Sequence, residues 1–190
     1  MNKAIFLDRD GVINEDTGFL HQRENIIFYP EAIKALCVLA ETDYKIIIVT
    51  NQPGIGRGIY TEKQYKDFEK EYLDELGKAS NCRRRIDRIY YCPHHPTAGI
   101  GKYKIQCICR KPEPGMILQA QKDYNISLPD SYMIGDKRSD IAAGKAAGCK
   151  TMLVKTGYAG KGGEDSNVEP DFTFKNLYYA ILYINRNSHH

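Results

Sequence analysis

Hydrophobic and polar positions follow two alternating rhythms along the chain. Lys3-Ala-Ile-Phe-Leu7 is a short apolar run that ends at an aspartate, and Lys45-Ile-Ile-Ile-Val-Thr50 is a β-branched run of the kind buried in parallel sheets. Between them Ile33, Leu36, Cys37 and Ala40 recur at helical spacing after Pro30, a residue suited to a first helical turn. Thr61 and Gln64 have the spacing of a capping box, and Tyr65, Phe68, Tyr72 and Leu76 continue a helix that is expected to stop near Gly77. Arg88-Ile-Tyr-Tyr-Cys92 reads as a third strand. Residues 93–113 then lose all periodicity, a loop that something other than a core must order. Regular patterning resumes with a helix over Met116–Tyr124 and strands at Tyr132–Gly135 and Thr151–Val154, separated by a small-residue helix over Ile141–Ala147. Gly157–Asn167 reads as a polar loop and Leu177–Ile184 as a closing helix. Strand, helix, strand throughout predicts an α/β fold: a parallel sheet flanked by helices with right-handed crossovers, one domain over residues 1–190.

Composition narrows the class. At 190 residues, 42% hydrophobic and 27% charged, the chain can enclose a core and is neither disordered nor fibrous. It has no apolar run long enough for a membrane span and no leader-like start, so a cytoplasmic protein, acting as a monomer, is expected. A net charge of +3 is too mild for a nucleic-acid binder but suits a small anionic substrate.

Three acidic residues follow three strand ends. Asp8 and Asp10 come after the first strand and Asp136 after the Tyr132–Gly135 strand, while Thr50 closes the second. Parallel sheets bind ligands at that edge. Clustered carboxylates repel one another unless a cation neutralises them, and hard oxygen donors suit Mg²⁺. Other motifs fail. Asp8-Arg-Asp10-Gly11 lacks the later ligands of an EF-hand, and Pro53-Gly-Ile-Gly-Arg-Gly58 lacks the Lys-Ser/Thr of a P-loop.

The six cysteines suggest a metal before they suggest disulfides. Cys92-Pro-His94 and Cys107-Ile-Cys109 form two ligand pairs with twelve residues between His94 and Cys107, which predicts a structural Cys₃His zinc loop over about 92–109. His95 is the competing ligand. Cys37, Cys82 and Cys149 are read as free thiols, on a helix face, in a basic stretch and before a strand. Because Cys109 directly precedes Arg110 and Lys111, ordering this loop would place two cations beside the carboxylates.

Asp8-Arg-Asp10-Gly11, Thr50-Asn51-Gln52, Arg110-Lys111-Pro112 and Gly135-Asp136-Lys137-(x)₂-Asp140 together resemble the four ordered motifs of the haloacid dehalogenase (HAD) superfamily of phosphatases. The resemblance implies a Rossmann-like fold and hydrolysis of phosphomonoesters through an aspartyl-phosphate. Asp8 would be the nucleophile and Asp10 the general acid/base, its proton favoured by carboxylate crowding. Asp8, the Asp10 backbone carbonyl and Asp136 would hold Mg²⁺; Thr50 and the Asn51 backbone would hold phosphoryl oxygens, and Lys111 would offset their charge. Asp140 would orient Lys137 or Lys111, or simply begin the next helix.

With the Cys/His loop added, the chain is similar to the histidinol-phosphatase-related branch, and within it to the family that removes the 7-phosphate of D-glycero-D-manno-heptose 1,7-bisphosphate in nucleotide-activated heptose biosynthesis. The motifs that carry this include Asn51–Gly58, Tyr90-Tyr-Cys-Pro-His-His-Pro96 and Cys109-Arg-Lys-Pro112. That family has no large cap domain. The resemblance implies that Asp16, Thr17, Gly18, Phe19, Asn51, Gln52, Pro53, Arg110 and Lys137 contact substrate, and Arg57 is a further candidate for a distal phosphate. Thr17 and Phe19 replace a His and a Tyr found in relatives, and Pro53 a Ser, which leaves the sugar anomer open. Histidinol phosphate is the alternative substrate. A nucleic-acid-binding zinc module, argued from the Cys/His loop and Arg83-Arg-Arg85, is the alternative of a different class.

Overall fold

The computed structural model describes residues 1–82, 86–161 and 168–187. Arg83–Arg85, most of the Gly157–Asn167 loop and His189-His190 therefore lie outside the described residues. In chain order the elements are β1 (Ala4–Leu7), α1 (Pro30–Ala40), β2 (Lys45–Asn51), α2 (Pro53–Gly56), α3 (Glu62–Ser80) and β3 (Arg88–Cys92). They continue with α4 (Gly115–Tyr124), β4 (Tyr132–Gly135), α5 (Arg138–Ala147), β5 (Lys150–Val154), β6 (Phe172–Phe174) and α6 (Leu177–Asn187).

All six strands form one parallel sheet in the order β3-β2-β1-β4-β5-β6. The period-2 alternation of strand side chains divides the core into two layers. Ile5, Leu7, Ile46, Ile48, Ile134 and Met152 pack on the side of α1, α3 and α6. Ala4, Phe6, Ile47, Val49 and Met133 pack on the side of α4 and α5. The chain winds outward from β1 through β2 to β3, then returns to β4 on the other flank of β1. This reversal puts a crevice at the carboxyl ends of β1, β2 and β4, where Asp8, Thr50 and Asp136 sit.

The capping box at Thr61 and Gln64 forms with both of its reciprocal bonds, and α3 ends with Asn81 in the left-handed region. Two short elements escape the hydrophobic pattern: β6 is only three residues long, and α2 is a single turn begun by Pro53. The reading of Cys37 and Cys82 as free thiols is corrected. They form a disulfide with Cα atoms 5.5 Å apart, where the inner end of α3 returns beside α1. A pairing that spans 45 residues leaves no local spacing signal. Among the described residues no helix is long and apolar enough to cross a membrane.

Candidate active site and metal centre

Asp8 leaves β1 at the sheet edge and is 4% exposed. Its Oδ1 accepts from the Arg9 amide at 2.8 Å and lies 2.9 Å from Lys111 Nζ. Burial alone would raise this carboxyl, but Lys111 and Lys137 outweigh it and hold Asp8 below its ordinary value, so the ionised form is favoured. Lys111, 4% exposed, also reaches Asp140 Oδ1 at 2.7 Å and the Val49 carbonyl at 2.8 Å. Burial works against its charge, yet Asp140 and Asp8 raise it above the usual lysine range. The Asn51 side chain brackets the Lys111 backbone, accepting from its amide and donating to its carbonyl at 3.0 Å each. That side chain is thus committed to holding the lysine, whatever the Asn51 backbone does for a ligand.

Asp140 combines the two roles left open for it. Its Oδ2 accepts from the Lys137 amide as a helix cap, and its Oδ1 faces Lys111.

Asp136 is fully buried. Its Oδ2 accepts from the Tyr158 amide at 2.8 Å, while Oδ1 has no hydrogen-bond partner among the described residues. A Cβ on Gly11 or on Gly157 would collide with this carboxylate, so both positive-φ glycines are what let the backbone close around it. Burial, then Asp140 and Asp8, push Asp136 up to about 8, against the pull of Lys137. Acidic oxygens of Asp8, Asp136 and Asp140 come within 4.8 Å of one another. A buried carboxylate oxygen without a donor among the described residues, beside two further carboxylates, fits a hard divalent cation.

Carboxylate crowding does not fall on Asp10 as the sequence reading expects. The Asp10 side chain turns away from the three and accepts from the Arg9 guanidinium, Asn14 and Gln52 instead. Gln52 also donates to Thr50 Oγ1 at 3.0 Å and is itself fixed by the Tyr60 hydroxyl.

These groups open into a cavity of about 450 Å³, lined by Asp8, Asp10, Thr50, Asn51, Gln52, Pro53 and Lys111 at its base. Asp16, Gly18, Phe19, Arg57, Arg110 and Lys137 also line it. Thr17 does not line it: this residue is exposed on the turn that presents its neighbours. Lys137 Nζ lies 2.9 Å from Asp16 and 4.5 Å from the centre of the Tyr158 ring. Despite burial, Asp8, Asp136 and Asp16 raise it above the usual range. Arg57 packs over Phe19, and Arg110 donates to the His94 carbonyl at 3.2 Å. Tyr60, Ser139 and Tyr158 are lining residues that the sequence reading missed, because nothing in their local spacing marks them.

Cys92, His94, Cys107 and Cys109 converge at the other side of Arg110 with all four ligand atoms within 4.8 Å of one another. His94 Nδ1 is 3.2 Å from Cys107 Sγ and 3.3 Å from Cys109 Sγ, and the sulfurs of Cys92 and Cys107 are 3.5 Å apart. Hydrogen bonding by Cys92, against burial and with help from Cys107 and His94, lowers the Cys109 thiol to about 5. Three cysteine sulfurs and an imidazole are a donor set suited to a closed tetrahedral site. His95 is not part of it. Its Nδ1 takes the Ala98 amide at 3.0 Å and its Nε2 meets Arg57.

The HAD-hydrolase-like family pattern matches residues 108–180. The D-glycero-beta-D-manno-heptose-1,7-bisphosphate 7-phosphatase of Pasteurella multocida is 48% identical over 158 residues, covering 83% of this chain and 84% of that one. The D-glycero-alpha-D-manno-heptose-1,7-bisphosphate 7-phosphatase of Photorhabdus laumondii is 43% identical over 159 residues, covering 82% of this chain and 84% of that one. Among solved structures, the D,D-heptose 1,7-bisphosphate phosphatase of B. bronchiseptica, complexed with magnesium and phosphate, superposes with a TM-score of 0.81 at 29% identity. It covers 97% of this chain and 98% of its own. On fold, motif order and identity, the chain belongs to the heptose-1,7-bisphosphate 7-phosphatase family of HAD-like hydrolases.

Proposed function

We propose that this phosphatase removes the 7-phosphate of D-glycero-D-manno-heptose 1,7-bisphosphate in the cytoplasm, with Mg²⁺ at the carboxylates and structural Zn²⁺ in the Cys/His loop. The observation that carries the reading is one cavity that gathers the buried Asp8, with Lys111 and Lys137 acting on its charge, and two arginines, Arg57 and Arg110, in the same lining. A bisphosphate needs positive charge at both ends, and Lys111 with Lys137 supplies one end while Arg57 and Arg110 supply the other. The relatives' names and the magnesium- and phosphate-bound neighbour support the same substrate and cation.

The Asp8 carboxylate attacks phosphorus, and the bond to the sugar oxygen breaks as Asp10 gives that oxygen a proton. Water then attacks the aspartyl-phosphate, and Asp10 takes the proton back. Thr50 and the Asn51 backbone hold phosphoryl oxygens, Lys111 offsets their charge, and Asp16, Gly18, Phe19, Gln52, Pro53 and Lys137 shape the sugar's path. Asp8, the Asp10 carbonyl and Asp136 would hold Mg²⁺, which would supply positive charge to the phosphoryl group. Cys92, His94, Cys107 and Cys109 would hold Zn²⁺, which would fix the segment that carries Arg110 and Lys111.

Histidinol phosphate would present a cationic imidazole and amine to this arginine-bearing mouth, which disfavours it. A panel of both heptose anomers and histidinol phosphate, read by phosphate release, tests the assignment. A heptose bisphosphate is expected to give the highest kcat/KM, and a higher value for histidinol phosphate would overturn it.

A further inference from the structure

The proposed chemistry passes its proton through Asp10, and the structure surrounds that carboxyl with a second cation. Arg9, 1% exposed, is among the largest fully buried side chains of the described residues. Its guanidinium takes both carboxylate oxygens at once, Nε donating to Oδ1 at 3.0 Å and Nη2 to Oδ2 at 2.9 Å. Nη2 also donates to the Leu20 carbonyl at 3.3 Å. Three rings of α3 wall the guanidinium: Phe68 at 5.4 Å, Tyr72 at 5.5 Å and Tyr65 at 5.9 Å from ring centre to Cζ. Two amides complete the grip, Asn14 on Oδ1 at 2.9 Å and Gln52 on Oδ2 at 3.2 Å. Asn14 is itself fixed by the Tyr72 hydroxyl at 2.8 Å.

Burying a guanidinium costs several kcal/mol, and an apolar residue of similar size could fill an aromatic cage more cheaply. The bidentate geometry supplies what an apolar residue cannot, a fixed plane for the carboxyl. Lysine could deliver charge to one oxygen but could not fix that plane. The rim cations are placed differently, at the cavity wall rather than behind Asp10.

We infer that Arg9 is a positioning residue for the general acid/base: with the rings of α3 and Asn14 it fixes the plane of the Asp10 carboxyl, and the position on Oδ2 that Gln52 holds at 3.2 Å, the longest of the four contacts, is the one it gives up to the proton that is delivered and taken back. The inference rests on the acid/base role of Asp10 proposed above. It also gives α3 a purpose beyond covering the sheet, because the apolar face of that helix is the wall of the Arg9 cage.

The test is single-turnover phosphoryl transfer by the full chain, loaded with Mg²⁺ and Zn²⁺, on a series of phosphate esters whose leaving groups range from nitrophenol to simple alcohols. A nitrophenolate leaves without a proton, whereas an alkoxide needs one. Arg9→Lys and Arg9→Met are expected to lose about 10- to 100-fold on alkyl esters, as for a misplaced general acid, and less than about threefold on nitrophenyl phosphate. Should Arg9→Met fail to fold, Tyr72→Phe, which removes only the hydroxyl holding Asn14, is expected to tilt the series the same way by a smaller factor. A loss of equal size across all leaving groups, or no loss in any of these variants, would overturn the role of Arg9. Absence of turnover by the wild-type chain on every ester would instead overturn the phosphatase reading itself.

Discussion

Lys111 and Asp140 form a buried ion pair, Nζ to Oδ1 at 2.7 Å, and the same ammonium lies 2.9 Å from Asp8, the proposed nucleophile. Lys111 pairs with Asp8 and Asp140 at once and donates to the Val49 carbonyl, so three groups hold its ammonium in place. In the proposed mechanism Asp140 therefore acts at one remove, by holding the cation that favours the ionised form of Asp8.

Replacing Lys111 by methionine leaves two buried carboxylates without their cation, a loss expected to cost about 3–5 kcal/mol of stability. Activity should fall with it. The double variant Lys111→Met/Asp140→Asn is expected to recover stability in denaturant unfolding but none of the phosphatase rate. Recovery of both together would mean that the lysine acts only as a structural counter-charge.

Magnesium should stabilise the protein more at high pH than at low. Asp136 is raised to about 8 by burial and by its acidic neighbours. An unfolded chain deprotonates this carboxyl near its ordinary value, so the stability tied to its protonated form is present at low pH. That contribution is lost as pH climbs toward about 8. A divalent cation replaces the proton there, and the rise in Tm on adding Mg²⁺ should be clearly larger at pH 8 than at pH 5. Equal shifts at both values would contradict the assignment of Asp136 as a ligand.

Removing the loop metal should reduce turnover and local order together. Cys109 is bonded to Arg110, which precedes Lys111, so slack at the sulfur is transmitted to both cations within two residues. Hydrogen exchange over residues 92–109 and the phosphatase rate are expected to change in parallel on chelation and in Cys109→Ser. A metal-free protein with full turnover would separate the loop from the site.

The Cys37–Cys82 bridge predicts four reactive thiols in the unfolded protein without reductant and six with it. Because the bridge closes a loop of 45 residues, reduction should cost about 3–4 kcal/mol. Six thiols without reductant would contradict the bridge.

The catalytic edge was legible because its chemistry is local: an apolar run ends and an acidic residue follows, three times over. The Cys/His loop was legible for a similar reason, as its ligands come in close pairs. What stayed hidden depends on long separations. Nothing near Arg9 announces that residues 65, 68 and 72 of a distant helix will enclose it, although their helical spacing was plain. Carboxylate crowding was expected from proximity in sequence, which puts Asp10 in the crowd, but the fold substitutes Asp140, 130 positions downstream of Asp10. Exposed Thr17 shows the converse, since a motif position can sit beside cavity residues and still face solvent.

The central claim is that Asp8 takes phosphate from carbon 7 of the heptose bisphosphate, and phosphorus NMR of the reaction tests it most directly. With the wild-type chain the C7 phosphate resonance should give way to inorganic phosphate while the C1 resonance persists, and Asp8→Asn should leave both unchanged. Loss of the C1 phosphate first, or hydrolysis by Asp8→Asn at the wild-type rate, would contradict it.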